Sequence, residues 1–133
     1  MNNSYDVIVI GAGAAGLMCS IEAGKRGKSV CLIEHSSKIA EKIRISGGGR
    51  CNFTNLYSNP SNFLSNNKHF CKSAFAKYTQ SDFINLIKKY NIDYYEKKLG
   101  QLFCTTSAKE IIDMLIKECI SQNVEINKET KIS

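Results

Sequence analysis

The sequence predicts an α/β chain with a parallel sheet and helices on both of its faces. Three observations carry that expectation. Val7-Ile8-Val9-Ile10 is a continuous β-branched run between Asp6 and Gly11, the pattern of a strand buried on both sides of a parallel sheet. From Ala14 to about Arg26 the composition is helical, with Leu17, Met18, Ile21 and Ala23 on one apolar face and Gly24 or Gly27 to end it. Ser29-Val30-Cys31-Leu32-Ile33-Glu34 then reads as a second buried strand. Strand, helix and strand over residues 5–34 make a βαβ unit, which requires parallel strands and a right-handed crossover.

The later elements follow from periodicity and caps. Residues 45–68 are rich in Gly, Asn and Ser, contain the only proline, Pro60, and show no period, which marks a functional or disordered loop. Ser81 is placed to cap a helix over about 81–90 that carries Phe83, Ile84, Ile87 and Tyr90 on one face. Ser107-Ala108-Lys109-Glu110 fits a capping box opening a helix over about 107–122. In that helix Ile111, Ile112, Leu115, Ile116, Cys119 and Ile120 form a wide apolar stripe, suited to lying flat on a sheet. A short strand is expected near 124–127, and Lys131-Ile132-Ser133 reads as the opening of another.

Length and composition bound the function. A chain of 133 residues with 43% apolar side chains can bury one core, not two. Eighteen Lys and Arg against twelve Asp and Glu give +6, split as +3 in residues 1–50 and +3 in 51–133. Lys88-Lys89 and Lys97-Lys98 are isolated pairs, so no nucleic-acid partner is expected from this distribution. Met1-Asn2-Asn3-Ser4-Tyr5-Asp6 supplies no basic region ahead of the first apolar run, and that run stops at Gly11, so neither a signal peptide nor a membrane span is expected. The six cysteines, Cys19, Cys31, Cys51, Cys71, Cys104 and Cys119, have no CxxC spacing, and with only His35 and His69 beside them no metal site is expected. They read as reduced packing residues of a cytoplasmic protein.

Chemistry concentrates in two glycine-rich segments. Gly11-Ala12-Gly13-Ala14-Ala15-Gly16 follows a strand, opens a helix and lies inside a βαβ unit, the context in which GxGxxG cradles a pyrophosphate at a helix N-terminus. Glu34 ends the second strand, where an acid accepts from ribose hydroxyls and disfavours a 2′-phosphate, so the dinucleotide is FAD or NAD rather than NADP. His35 is its neighbour on the adenosine side. Ser46-Gly47-Gly48-Gly49-Arg50-Cys51-Asn52 offers a backbone nest, a guanidinium for an anion and an amide for a polar ring edge. Cys51 has no resolving thiol: the Cys-x4-Cys partner position of disulfide reductases is Leu56.

Asp6 to Gly16, Glu34, and Lys42 leading to Ser46-Gly-Gly-Gly-Arg-Cys-Asn-Phe-Thr-Asn55 resemble the N-terminus of the HI0933-like (BaiN-like) flavoproteins, also called the aminoacetone oxidase family or NAD(P)/FAD-dependent oxidoreductases. Lys98 to Lys109 resembles a second block of that family. The resemblance implies a Rossmann-like FAD-binding fold of the glutathione reductase type, present here as its N-terminal part. It implies that Gly11, Gly13, Ala14, Ala15 and Gly16 cradle the FAD pyrophosphate, and that Glu34, with His35, holds the adenosine end. Lys42, Ser46, Gly47, Gly48, Gly49, Arg50, Cys51 and Asn52 would then lie along the flavin half. It further implies hydride or electron transfer on a small organic substrate, with NAD(P)H as donor in a full-length enzyme. Ala40 departs from a common glycine, and Gln101 and Cys104 depart from a block often written with Arg and Pro. Two alternatives stand beside this reading: a binding module or fragment needing a partner chain to complete the cofactor site, and an NAD-binding Rossmann protein.

Overall fold

The structure, a computed structural model, describes residues 4–133, so Met1-Asn2-Asn3 of the stretch read for a leader lie outside the described residues. The βαβ unit forms as expected: β1 (Val7–Ile10), α1 (Ala14–Lys25) and β2 (Val30–Ile33), with β1 and β2 parallel in the register Val7 to Val30. Next come α2 (Glu41–Gly49), β3 (Asn52–Asn55), a 3₁₀ turn (Pro60–Asn62), α3 (Lys72–Lys77), α4 (Gln80–Lys89), β4 (Tyr94–Glu96) and β5 (Gln101–Cys104). The chain closes with α5 (Lys109–Ser121) and β6 (Glu125–Asn127). β6 returns to pair in parallel with β2, giving the order β1-β2-β6, while β3, β5 and β4 make a separate antiparallel sheet in the order β3-β5-β4.

The core lies between the parallel sheet and two helices. Leu17 and Ile21 of α1, Val30 and Leu32 of β2, and Ile111, Ile112, Met114, Leu115 and Cys119 of α5 are buried together. Their side chains share one side of the sheet because strand residues alternate faces while helix residues recur every three or four.

Several expectations are corrected here. β1 is buried on one face only: Ile8 and Ile10 are 59% and 72% exposed, so the described residues supply no layer over that face. In α5 the stripe residues Ile111, Ile112, Leu115 and Cys119 are buried in one core with α1 and with Val30 and Leu32 of the sheet, but Ile120, placed in the same stripe, is exposed. At its start the Ser107 hydroxyl accepts from the Lys109 amide, one residue short of a capping box. The Glu110 carboxylate does not return to the cap, and one of its oxygens is buried without a hydrogen-bond partner.

The cap of α4 is Thr79 rather than Ser81, in a true capping box: the Thr79 hydroxyl accepts from the Asp82 amide and Asp82 accepts from the Thr79 amide. Residues 45–68 are not one loop. They hold the end of α2, strand β3, which pairs with β5, and the 3₁₀ turn, elements too short to show a period. Lys131-Ile132-Ser133 forms no strand. Among the described residues no helix is long and apolar enough to cross a membrane.

Burial of α5 against α1 makes a testable contrast. Leu115→Ala should cost about 2–5 kcal/mol of stability by opening a cavity, whereas Ile120→Ala should stay within about 0.5 kcal/mol. Urea denaturation of both variants checks this, and equal losses would return Ile120 to the core.

Candidate functional site

The glycine turn is shaped by a close approach. A Cβ on Gly16 would fall 1.8 Å from the Gly11 carbonyl oxygen, so only glycine lets α1 begin this near the end of β1. A Cβ on Gly13 would meet nothing within 4 Å, so the chain there borders open space. The helical ladder of α1 opens with the Leu17 amide donating to the Gly13 carbonyl. The amides of Ala14, Ala15 and Gly16 therefore have no acceptor within the helix and sit at the positive end of its dipole.

Glu34 is the fixed point of the site. It is buried (7% exposed) at the end of β2, and its Oε2 accepts from the Ala12 amide at 2.8 Å. Its Oε1 accepts from the Ser36 amide at 2.9 Å and lies 2.9 Å from His35 Nδ1. The amides of Ser36 and Ala12, in that order, hold the carboxyl below its ordinary 4.5, against the opposing effect of burial. Ala12 in turn gives its carbonyl to the Ala40 amide at 2.9 Å, so the glycine turn, the end of β2 and the start of α2 are tied together. Ala40 has φ +57, a left-handed conformation that explains why glycine suits this place and that alanine holds at some strain. Ala12, Ser36 and Ala40 serve through their backbones, so nothing in their side chains marks them in the sequence.

These groups line a cleft of about 570 Å³, with Gly13, Ala14, Glu34, His35 and Lys42 on its walls. A second cavity of about 240 Å³ shares Ala14, Lys42 and Ile43 with it and adds Ser46, Cys51, Asn52, Phe53 and Phe83. Sequence-distant residues of both glycine segments thus line two neighbouring cavities that share a wall. Phe53 and Phe83, which the motifs do not single out, give its inner end an aromatic wall; their ring centroids are 6.0 Å apart.

Within the triple glycine Gly47 is closely packed, while a Cβ on Gly48 would meet nothing within 4 Å. Gly47, Gly48 and Gly49 all have positive φ, and a Cβ on Gly47 would strike the Phe103 ring at 2.7 Å. The turn is thereby packed onto β5, and the Gly49 carbonyl accepts from the Ala108 amide, which anchors the start of α5. Neither Gly47, Gly48, Gly49 nor Arg50 lines either cavity. The exposed Arg50 guanidinium donates through Nη1 to the Thr105 carbonyl at 2.9 Å. Cys51 is buried with φ +52, and burial pushes its thiol up; burial likewise pushes the neighbouring Cys104 thiol up to about 12. Thiols held protonated are poor nucleophiles, which suits packing rather than redox work. Cys104 donates its amide to the Arg50 carbonyl, a bond that proline there could not make. Among the described residues no cluster of His, Cys, Asp or Glu suits a metal ion.

A glycine turn with open amides, an acid at the end of the next strand and a cleft running between them define a Rossmann-type nucleotide-binding domain. Residues 5–133 match the HI0933-like protein Rossmann domain, and the chain belongs to that family. It is 54% identical over 128 residues to the ribosomal RNA dihydrouridine synthase of Escherichia coli (strain K12), a match covering 96% of this chain and 32% of that protein. It is 48% identical over 133 residues to the Haemophilus influenzae protein of the same name, covering 100% of this chain and 33% of the relative. The chain thus spans about a third of the length of these relatives. Among solved structures, 3-ketosteroid-delta4-(5alpha)-dehydrogenase from Rhodococcus jostii RHA1 superposes with a TM-score of 0.65 at 12% identity, over 97% of this chain and 38% of that one. That likeness concerns the fold.

The Glu34 carboxyl should leave a pH signature. Because its folded pKa lies below the ordinary 4.5, its contribution to stability is present above that pH and is lost as the pH falls through the folded value. Glu34→Gln should therefore destabilise the chain most at neutral pH, the gap from wild type narrowing as the pH is lowered below 4.5. Denaturation midpoints across that range measure it; a gap independent of pH would mean that the charge is not what holds the turn.

Proposed function

We propose that this chain is the FAD-binding N-terminal part of a flavin-dependent oxidoreductase. The observation that carries the reading is the cleft in which the glycine turn and Glu34 meet. It offers the amides of Ala14, Ala15 and Gly16 to a pyrophosphate and open space at Gly13 for its approach. The Glu34 Oε2 has one protein partner, the Ala12 amide, while Oε1 faces both the Ser36 amide and His35, which leaves a lone pair of Oε2 for a ribose hydroxyl. Gly11 and Gly16 act by setting the turn, and His35 borders the adenosine end. Lys42, Ser46, Cys51 and Asn52 flank the inner cavity and would lie along the flavin half, with Gly47, Gly48, Gly49 and Arg50 between them in the chain. Bound there, FAD supplies hydride transfer; the chain supplies the anion site, the orientation and the shielding apolar wall. NAD(P)H is the electron donor in this reading.

The substrate reading follows the relatives. With 54% identity to a ribosomal RNA dihydrouridine synthase, the chain is assigned to reduction of a uridine base in ribosomal RNA, which takes up one hydride and one proton. That assignment reverses the expectation, drawn from charge, of no nucleic-acid partner. The remaining residues of the cofactor and substrate sites come from polypeptide outside this chain, either continuous with it or a partner chain. Five of the six thiols are buried and all are free, as suits the cytoplasm, where ribosomes reside.

Gly13→Val separates ligand from fold, because its new side chain would enter space that only the cofactor needs. Calorimetric titration should find FAD bound by wild type and affinity lowered at least about tenfold in the variant, equivalent to about 1.4 kcal/mol, with the thermal midpoint unchanged. In an Escherichia coli strain whose own enzyme has its matching third replaced by this chain, dihydrouridine in ribosomal RNA should persist by nucleoside mass spectrometry. Wild type that ignores FAD would refute the cofactor reading; FAD binding with no dihydrouridine would refute the substrate reading alone.

A further inference from the structure

The charge of this chain is not spread as its halves suggest. All twelve carboxylates lie outside residues 42–81, a segment that carries Lys42, Arg44, Arg50, Lys68, Lys72 and Lys77. Its +6 equals the net charge of the whole chain, and everything else balances at twelve against twelve. The segment starts at the cofactor cleft, where Lys42 stands, and runs outward through β3 and the 3₁₀ turn to α3.

Its outer part is open to solvent. Every residue from 61 to 70 is exposed, as are Lys72 and Lys77. Lys68, Lys72 and Lys77 take part in no ion pair among the described residues, whereas Lys25, Lys89 and Lys109 are each held by a carboxylate. Aromatic rings stand among them. Tyr57 is 68% exposed, Phe70 51% and Phe63 43%, and Phe63 is steadied edge-on by Phe75 at a centroid distance of 5.2 Å. A cavity of about 360 Å³ opens here, lined by Phe63, Leu64, Lys68, His69 and Lys72. Free ammonium groups beside exposed rings and a base-sized hollow suit a nucleic acid strand whose phosphates meet lysines and whose unpaired bases stack on aromatic faces.

We propose that the acid-free segment 42–81 is an RNA-binding surface, and that the hollow between the 3₁₀ turn and α3 takes an unpaired base and its phosphate from ribosomal RNA. This rests on the reading of ribosomal RNA as substrate and adds where the chain grips it. A lipid surface is the weaker fit: α3 has only six residues, and Asn59, Ser61, Asn62, Ser65, Asn66 and Asn67 interrupt the apolar side chains with polar ones. Continuity with the cleft gives the surface its purpose. Through β3 and the 3₁₀ turn the same segment joins α3 to the cavity where Lys42, Cys51 and Asn52 stand.

The test is fluorescence anisotropy with a fluorescein-labelled, single-stranded RNA of mixed sequence, about 20 nucleotides long, titrated at several salt concentrations. Wild type is compared with K68E/K72E and with K28E/K117E, which makes the same charge change at exposed lysines outside the segment. K68E/K72E should weaken RNA binding at least about tenfold and flatten its salt dependence, while K28E/K117E stays within about twofold of wild type. FAD affinity and thermal midpoint should be unchanged in both. Equal losses in the two variants, undiminished binding by K68E/K72E, no binding by wild type, or tighter binding to phosphatidylglycerol–phosphatidylcholine vesicles than to RNA would each overturn the proposal. The substrate reading has its own readout in dihydrouridine content, so a surface placed wrongly and a substrate assigned wrongly give different results.

Discussion

The hydrogen bond from the Ala12 amide to the buried Glu34 carboxylate is the constraint on which the rest of the site depends. It joins the turn after β1 to the end of β2, strands that already pair in register, and so sets where the first turn of α1 points its free amides. A charged acceptor makes such a bond stronger than a neutral one. The Ser36 amide and His35 hold the other oxygen, so the carboxylate cannot rotate away. Through the Ala12 carbonyl the same link reaches Ala40 and places α2, which brings Lys42 to the cleft. One acid thereby ties together the glycine turn, the end of β2 and the helix that leads to the inner cavity.

A second bracket works at the other end. The left-handed run through Gly47, Gly48 and Gly49 packs against Phe103 and hands the Gly49 carbonyl to α5, while Arg50 clips to Thr105. The antiparallel sheet is therefore not an appendage: β5 is the surface on which the glycine turn is pressed, and α5 couples that turn to α1 in the main core. Glu118 of α5, buried and bonded to Lys89 at 2.8 Å and Tyr90 at 2.7 Å, ties α4 into the same body. Cleft and core share their supports.

The βαβ unit was legible because its signals are local and redundant: a β-branched run, a glycine turn, a helix face and an acid at fixed spacing all agree. The meeting of Glu34 with the glycine turn was legible for the same reason. What escaped had causes of a different kind. β3, β4 and β5 are three or four residues long and held by one another, so no single stretch shows a period. Ser81 and Thr79 both make plausible caps, and only the Asp82 carboxylate returning to Thr79 decides between them. The triple glycine offers its flexibility to any purpose, and it takes Phe103 to show that Gly47 serves close packing. Ile120 fits the apolar stripe by spacing, yet it lies at the stripe's edge, beyond the residues that α1 and the sheet cover, and stays in water.

The claim that the Glu34-anchored turn is the adenosine and pyrophosphate end of an FAD site is tested most directly by NMR of the ¹⁵N-labelled chain titrated with FAD. The account predicts that the amides of Ala12, Gly13, Ala14, Ala15, Gly16, Glu34 and His35 shift first and together, with smaller shifts at Lys42 and Asn52. Shifts confined to other parts of the chain, or a spectrum indifferent to FAD, would contradict it.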